Sequence, residues 1–384
     1  MNSFFIDSKE LFYDISKDFC DFEYQITSNP RDYSLKGFMT LDGIIDEINS
    51  KMNDSGMVLI DNNVFNIFFK EKFTFDPTKF FLIKACEEVK NLNTVLDICD
   101  SFISQNINKS SNIFVVGGGV LQDLGGTSSY LYKRGIPWQY IPTTLLGMSD
   151  SCLGGKTAVN YKNYKNLLGL FSSPKEVLLC HEFIASLKKQ DIYCGFGEIF
   201  RLLITGGENA YRIFEENIND ALDGDKIAQK KLILSSLMIK RAVIEADEYE
   251  INIRKSMNYG HTIGHAIEAI SSFRIPHGIA ITFGILIETK LAVDLKLTPD
   301  AILPRLVKGA QKIIEDKYIK IIENIAFDEV SDYLRKDKKT IENKFNFSYL
   351  QALGNMKFSY NDIDETKDLI IDSKNTIIKG LTIE

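Results

Sequence analysis

The chain has little of what would tie it to a membrane, to nucleic acid or to a disulfide scaffold. Its longest apolar window, Gly278 to Ile287, is followed at once by Glu288 and Lys290, and falls far short of the roughly 20 residues that a membrane-spanning helix needs. Positive charge is not in excess: 45 Lys and Arg stand against 52 Asp and Glu, a net charge of -7. No nucleic acid and no membrane surface is therefore the expected partner, since both call for a basic face. The six cysteines contain no C-x-x-C pair and are scattered, which suggests neither a zinc ribbon nor a disulfide framework. Reduced thiols in a cytoplasmic protein are the expectation. The opening residues, MNSFFIDSKELFYD, place acidic side chains where an export leader has a basic segment and an unbroken apolar run, so no export is expected. Low-complexity segments and internal repeats are not evident.

What is there is a globular balance, 45% hydrophobic and 25% charged over 384 residues, with room for about two domains. Between about Gly56 and Cys180, short β-branched or aromatic runs (MVLIDNN, KFFLIKA, NIFVVGGG, PWQYIPTT, KEVLLC) alternate with helical stretches. That rhythm predicts parallel strands joined by helices. From about Glu182 the pattern changes to helical periodicities such as LILSSLMIKRAVIEADEYE and AILPRLVKGAQKIIE. The expected division is an α/β domain over residues 1–184, with the first fifty or so residues as an extension docked on it, and a helical domain over 185–384. The basic run RKDKK, Arg335 to Lys339, reads as a solvated helix end.

Two segments have the composition of anion sites. In NIFVVGGGVLQDLGG, Asn112 to Gly126, a strand runs into three glycines and a helix; glycines admit a pyrophosphate to the backbone, and a helix N-terminus favours its charge. The third glycine of a G-x-G-x-x-G fingerprint is replaced by Gln122, and a plain tight turn accounts for the glycines equally well. TTLLGMSDSCLGGKTAVN, Thr143 to Asn160, adds hydroxyls, Asp150, a Gly154-Gly155 pair and Lys156, with Lys165 and Asn166 soon after. Backbone donors, ammonium groups and an amide suit an oxyanion or phosphate; a Gly-rich loop with surface lysines is the plainer reading.

Histidine is scarce, yet three of the four, His261, His265 and His277, lie close together in sequence, each beside a glycine. His261 and His265 stand four apart in a helical pattern and so share a face, which invites a divalent metal. His277 follows a break at Pro276 and returns to the same place from the next element. A carboxylate would complete a zinc-type site, the candidates being Glu198, Asp247 and Glu268.

Taken together, GGGVLQD, YLYKRG, IPTTLLGMSDSCLGGKTAVN, YKNLLG, CGFGEIF, KRAVIEADE, IRKSMNYGHTIGHAIE, PHG and RKDKK resemble the 3-dehydroquinate synthases and their sugar-phosphate cyclase relatives, in order and near the family spacing from about Asp61 to Gly354. The resemblance implies a Rossmann-like, mostly parallel NAD-binding α/β domain followed by an all-α domain. It implies zinc, with cobalt as an alternative, on Glu198, His261 and His277, while His265 helps to hold a substrate phosphate. NAD contacts are implied for Asp61, Glu87, Lys90, Gly118, Gly119 and Asp123, and for Thr143, Thr144, Asp150 and Ser151. For a phosphorylated sugar-acid substrate it points to Lys156, Lys165, Asn166, Lys240, Arg254, Asn258 and one of Lys338 or Lys339. Arg134 is expected to reach into the neighbouring subunit's site, which implies a homodimer.

The reaction implied is a cyclisation in which a hydride leaves the substrate and returns, phosphate is eliminated between those steps, and the ring closes by an aldol step. Arg254 and Asn258 suit a carboxylate-bearing heptulosonate. The sequence departs from the family at Arg201, where a lysine is usual, at Ile279, where a glutamate is usual, at Gln122, and in its longer N-terminus. These departures bear on the substrate more than on the reaction type. An aminodehydroquinate, 2-epi-5-epi-valiolone or 2-deoxy-scyllo-inosose synthase remains the alternative, and a metal-dependent polyol dehydrogenase, which releases NADH in net turnover, is a reading of another class.

Overall fold

The computed structural model describes the chain apart from residues 16–21, 30, 53–54, 71, 74, 163, 327, 337–342 and 383–384. It forms two compact units, Lys17–Lys188 and Met1–Ser16 together with Lys189–Glu384. The strands are, in chain order, β1 (Asn2–Ile6), β2 (Lys9–Tyr13), β3 (Glu23–Ile26), β4 (Tyr33–Phe38), β5 (Met57–Asp61), β6 (Phe80–Ile83) and β7 (Ile113–Gly117). They continue with β8 (Trp138–Pro142), β9 (Lys156–Tyr161), β10 (Tyr164–Phe171), β11 (Glu176–Cys180), β12 (Lys344–Ala352) and β13 (Asn355–Asp362).

In the α/β unit a seven-stranded sheet has the order β3-β4-β11-β8-β7-β5-β6. All its pairings are parallel except the edge pair β3 and β4. The five apolar runs read from the sequence are β5, β6, β7, β8 and β11. β5, β7, β8 and β11 are buried at every position, as parallel strands covered on both faces must be. Counted from β5, the strands follow the doubly wound order 2-1-3-4-5, whose direction reverses between β5 and β7. In such sheets the carboxyl ends of the strands at that reversal form the ligand crevice. A separate hairpin, β9 with β10, completes the unit.

The second unit is helical, as the change of periodicity implies. Its long helices include Lys189–Thr205, Glu208–Leu222, Lys226–Ala246, His261–Ile270, His277–Asp294 and Ile363–Thr382. The helix His277–Asp294 is apolar around most of its circumference, and fourteen of its residues are buried; such a helix belongs at the centre of a core. What the sequence reading leaves out is a four-stranded sheet in this unit, of order β12-β13-β1-β2. β1 lies parallel to β13, with Phe5 opposite Asn355, and antiparallel to β2. Residues 1–16 are therefore not an extension of the α/β domain but part of the helical unit. The reason is physical: β1 and β2 bury Phe4, Ile6, Leu11 and Tyr13, and Tyr13 donates its hydroxyl proton to the Gly206 carbonyl at 2.8 Å. No helix among the described residues is long and apolar enough to cross a membrane.

Candidate functional site

Two close helix contacts build the histidine group. A Cβ on Gly278 would stand 1.9 Å from the Cys194 carbonyl oxygen, and one on Gly197 would stand 2.1 Å from the Gly278 carbonyl. Only glycine permits that approach, and it brings Glu198, on the helix Lys189–Thr205, beside His277, the first residue of its own helix. Further along the same central helix, a Cβ on Gly284 would fall 2.0 Å from the Gly260 carbonyl. Gly260, left-handed at φ 77°, starts the helix His261–Ile270. Both histidines at helix starts are thus set by backbone contact rather than by side-chain packing.

The result is a convergence of donors. The ligand nitrogens of His261, His265 and His277 lie within 4.8 Å of one another. Glu198 Oε1 is 3.2 Å from His277 Nε2 and 3.6 Å from His261 Nε2. The remaining nitrogens are oriented: His277 Nδ1 is 3.0 Å from Glu268 Oε2, and His261 Nδ1 is 3.3 Å from the Tyr259 carbonyl. The other Glu198 oxygen, Oε2, accepts from Arg201 Nε at 2.6 Å. Of the three carboxylates open on sequence grounds, Glu198 faces two imidazoles and Glu268 orients one of them. Asp247 is engaged elsewhere, accepting from the backbone N–H groups of Ile251, Asn252 and Arg254.

The electrostatics are those of a cation site. Burial opposes ionisation of Glu198, but Arg201 and the two imidazoles outweigh it and hold the carboxyl well below its usual range. Burial holds His261 well below its usual value. For His277 burial acts in the same direction, but the carboxylates of Glu198 and Glu268 overcome it and lift the imidazole to about 10. Glu198 Oε1 is buried, with the His277 and His261 ring nitrogens as its polar neighbours, a placement that a charged oxygen tolerates only opposite positive charge. Two nitrogens and a buried anionic oxygen facing them fit a divalent cation of the zinc type.

The other residues expected in this unit are spread around the segment before His261. Lys240 is buried on the helix Lys226–Ala246. Arg254 is 3% exposed and donates from Nη1 to the Glu248 carbonyl. Asn258 donates from Nδ2 to Glu250 Oε1 at 2.6 Å. Arg201 is 2% exposed, its guanidinium engaged by Glu198 and by the Met257 sulfur at 3.5 Å. Ile279 is fully buried. Lys338 and Lys339 lie outside the described residues. Sequence reasoning missed Glu250 and also Glu288, whose two oxygens accept from the N–H groups of Gly260 and Ile263. The spacing of Glu288 from His277 was the available signal: eleven residues is about three helical turns.

In the α/β unit the residues expected to contact a nucleotide gather after the carboxyl ends of parallel strands. Asp61 ends β5, Glu87 and Lys90 follow β6, Gly118 and Gly119 follow β7, and Thr143 and Thr144 follow β8. Asp150 and Ser151 close the helical turn Gly147–Ser151. Asp61 Oδ1 accepts from the N–H groups of Asn63 and Val64. Asp123 Oδ2 lies 2.6 Å from Lys90 Nζ, and its Oδ1 accepts from Ala158 N–H at 2.9 Å; burial still leaves this carboxyl above its ordinary value. A Cβ on Gly118 would meet Thr144 Cγ2 at 2.9 Å, whereas one on Gly119, the first residue of the helix Gly119–Leu131, would meet nothing within 4 Å. Open space against backbone at a helix N-terminus fits a dinucleotide phosphate. Gln122 has a structural reason for replacing glycine, since it exchanges hydrogen bonds with the Ser151 carbonyl at 2.7 Å and the Ser151 hydroxyl at 2.8 Å.

The expected anion-binding residues of this unit lie on and around the β9–β10 hairpin. Lys156 opens β9 and is exposed; Lys165 and Asn166 are exposed on β10. Asn166, at φ 53°, donates its N–H to Asn160 Oδ1 at 2.9 Å, and Asn160 Nδ2 donates to Glu87 Oε1 at 2.8 Å. Arg134 is exposed, at φ 61°.

Residues 80–194 match the family described as 3-dehydroquinate synthase N-terminal, and residues 195–340 the one described as 3-dehydroquinate synthase C-terminal. A 3-dehydroquinate synthase of Thermoanaerobacter pseudethanolicus is 32% identical over 305 residues, which is 77% of this chain and 84% of that protein. A solved 2-deoxy-scyllo-inosose synthase, complexed with carbaglucose-6-phosphate, NAD+ and Co2+, superposes with a TM-score of 0.79 at 23% identity, covering 91% of this chain and 100% of its own. A 2-epi-5-epi-valiolone synthase from Streptomyces hygroscopicus, with NAD+ and Zn2+ bound, gives a TM-score of 0.78 at 20% identity over 93% of this chain and 99% of its own. These two structural likenesses speak to the fold.

Proposed function

The chain belongs to the 3-dehydroquinate synthase family, and from that premise we propose that it is a cyclising carbon–oxygen lyase that converts 3-deoxy-arabino-heptulosonate 7-phosphate to 3-dehydroquinate with loss of phosphate. The observation that carries the reading is the convergence of the buried Glu198 Oε1 with the ring nitrogens of His261 and His277. Glu198, His261 and His277 would hold a divalent ion, zinc or cobalt. Asp61, Gly118, Gly119, Thr143, Thr144, Asp150 and Ser151 would hold NAD, with Glu87, Lys90 and Asp123 as a linked ion-pair group at the same strand ends. When bound, the ion supplies Lewis-acid polarisation of a substrate hydroxyl, and NAD supplies a hydride acceptor that is regenerated within each turnover.

The chain's own residues supply placement and charge. Arg254 offers a planar fork for the substrate carboxylate, and Asp247 fixes the backbone on which it stands. In the α/β unit Lys156, Lys165 and Asn166 are proposed to meet substrate anions; in the helical unit the same part falls to Lys240, His265 and Asn258. Arg201 balances the Glu198 carboxylate, since a guanidinium does not give up a proton near neutral pH. One of Lys338 or Lys339, outside the described residues, is proposed in the same phosphate role. None of these groups need be a strong base, because oriented charge does most of the work in eliminating an anionic leaving group.

A homodimer is part of the proposal. β10 exposes Tyr164, Leu167 and Leu168, and Tyr161 is exposed on β9, an apolar surface of the kind that partners cover; Arg134 is proposed to serve the neighbouring subunit's site. A second reading, a specialised cyclase of the same family, is favoured by Arg201 and Ile279 standing where the family usually has a lysine and a glutamate. One assay separates the readings. Zinc-loaded protein with NAD should release phosphate from 3-deoxy-arabino-heptulosonate 7-phosphate without net absorbance at the NADH band. Release from sedoheptulose 7-phosphate or glucose 6-phosphate alone would favour the specialised cyclase, and accumulating NADH a polyol dehydrogenase.

A further inference from the structure

We infer that Glu288 is a positioning residue for the proposed metal centre: from the helix that begins at His277, it grips the N-terminus of the helix that begins at His261. The inference rests on the metal reading above. Glu288 is fully buried, and an ionised carboxylate stays buried only if its oxygens are well satisfied. Here Oε2 accepts from Gly260 N–H at 2.8 Å and Oε1 from Ile263 N–H at 3.0 Å. Both are amides of the first helical turn, which have no partner within their own helix.

The usual remedy is a side-chain acceptor at the residue before the helix. That residue is Gly260, which has no side chain; a Cβ there would meet the Ile281 carbonyl and the Ile285 backbone nitrogen, each at 2.7 Å, and its left-handed φ of 77° disfavours any other residue. The acceptor therefore comes from the neighbouring helix, where it also meets the positive end of the peptide dipoles. The two helices run antiparallel: Ile285 lies against Gly260, Ile281 against Gly264, and Glu268 against His277. Tyr259 and Thr289 share a further hydroxyl hydrogen bond beside the carboxylate. One helix thus supplies the imidazole of His277 at its start and, three turns on, the carboxylate that fixes where His261 begins. Losing the grip would let the first turn bearing His261 shift while the core stays packed.

The variant Glu288→Gln keeps the side chain's size but removes one of its two acceptor oxygens. Purified metal-free protein would be titrated with Zn2+ against a chromophoric chelator, and with Co2+ while the visible ligand-field spectrum is recorded. The expected result is binding roughly 10–100-fold weaker than wild type, the range for partners that orient metal ligands, with an altered Co2+ spectrum. Phe214→Leu, a core change on another helix of the same unit, serves as the control for plain destabilisation and should leave affinity and spectrum unchanged. Wild-type affinity and spectrum in Glu288→Gln would overturn the inference, as would an equal loss in both variants. Failure of the wild-type chain to bind either ion would instead take down the metal reading itself. Should Glu288→Gln not fold, amide exchange in the wild type decides: Gly260 and Ile263 should exchange slowly, and more slowly with Zn2+, whereas fast exchange at both overturns the grip.

Discussion

Glu198 is 1% exposed, hydrogen-bonded to a buried arginine and set between two imidazoles, whereas Lys165 and Asn166 stand on a strand whose residues 164–169 are all exposed. Both groups are proposed to meet charge on a ligand. In the helical unit the donors are placed by folding, through helix contacts too close for any residue but glycine, so little ordering is left for the ligand to impose. On the hairpin the anion would meet an exposed lysine, and holding so long a side chain in one rotamer costs up to about 2 kcal/mol. Substitutions in the first region should act on the fold and on metal affinity, while those in the second should act on substrate binding and yield to salt.

The sharpest break of that contrast is a pair of glycines. Gly278→Ala puts a methyl 1.9 Å from a backbone oxygen and is expected to destabilise the chain by about 3 kcal/mol, the upper part of the range for overpacking. Gly119→Ala meets nothing within 4 Å; it should leave stability unchanged or raised by up to about 1 kcal/mol, while weakening NAD. Chemical denaturation compares the two. Equal midpoints would show that the helix contact yields, and that the donors are not set by backbone.

Next in size is the division of labour among the histidines. His261→Ala removes a donor facing Glu198 Oε1 and should weaken Zn2+ by more than about 100-fold, beyond the range seen for merely orienting partners. His265→Ala should leave zinc bound and raise KM for phosphate-bearing substrates. If both variants lose zinc equally, the three imidazoles within 4.8 Å act as one ligand set, and the phosphate role of His265 falls.

Most of the sheet was legible because each parallel strand is a continuous apolar run whose pattern is local, and the helical unit because its periodicity is. The pairing of β1 with β13 was not, since it joins Phe5 to Asn355 and no local pattern encodes a partner so far along the chain. The three histidines could be read from spacing and scarcity, and Glu198 from family resemblance. The roles of Asp247 and Glu288 could not, because each serves backbone amides, and an amide leaves no mark in the sequence. Gln122 looked like a flaw in a glycine fingerprint; its hydrogen bonds to Ser151 make it a brace between two loops.

Proton linkage offers a smaller but graded effect. With His277 lifted to about 10, the metal-free imidazole is protonated at neutral pH. Its folded value lies above the roughly 6.5 of an unfolded chain, so its contribution to the metal-free fold is complete below that pH and is lost as pH rises through about 10. Zinc requires the neutral ring, so binding at pH 8 should release a proton, and apparent affinity should rise about tenfold per pH unit below the folded value. His261, already held neutral by burial, should release none. Calorimetry in buffers of differing ionisation enthalpy counts the protons; a count of zero would mean that His277 either is neutral before the metal arrives or is not a ligand.

The smallest expected effect lies on the hairpin. Lys165→Ala removes an exposed ammonium whose interaction with a substrate anion is of the solvent-screened kind, about 0.2–1 kcal/mol, so KM should rise by less than about fivefold with kcat and stability unchanged. Because the Debye length shrinks from about 10 Å at 0.1 M salt to about 3 Å at 1 M, the difference between wild type and variant should fade as salt is added. Metal affinity, tied to Glu198 and its buried arginine, should keep its value over the same range. A salt-independent loss of more than about tenfold in Lys165→Ala would mean that the hairpin holds its lysine as firmly as the helices hold their histidines, and the contrast between the two regions would collapse.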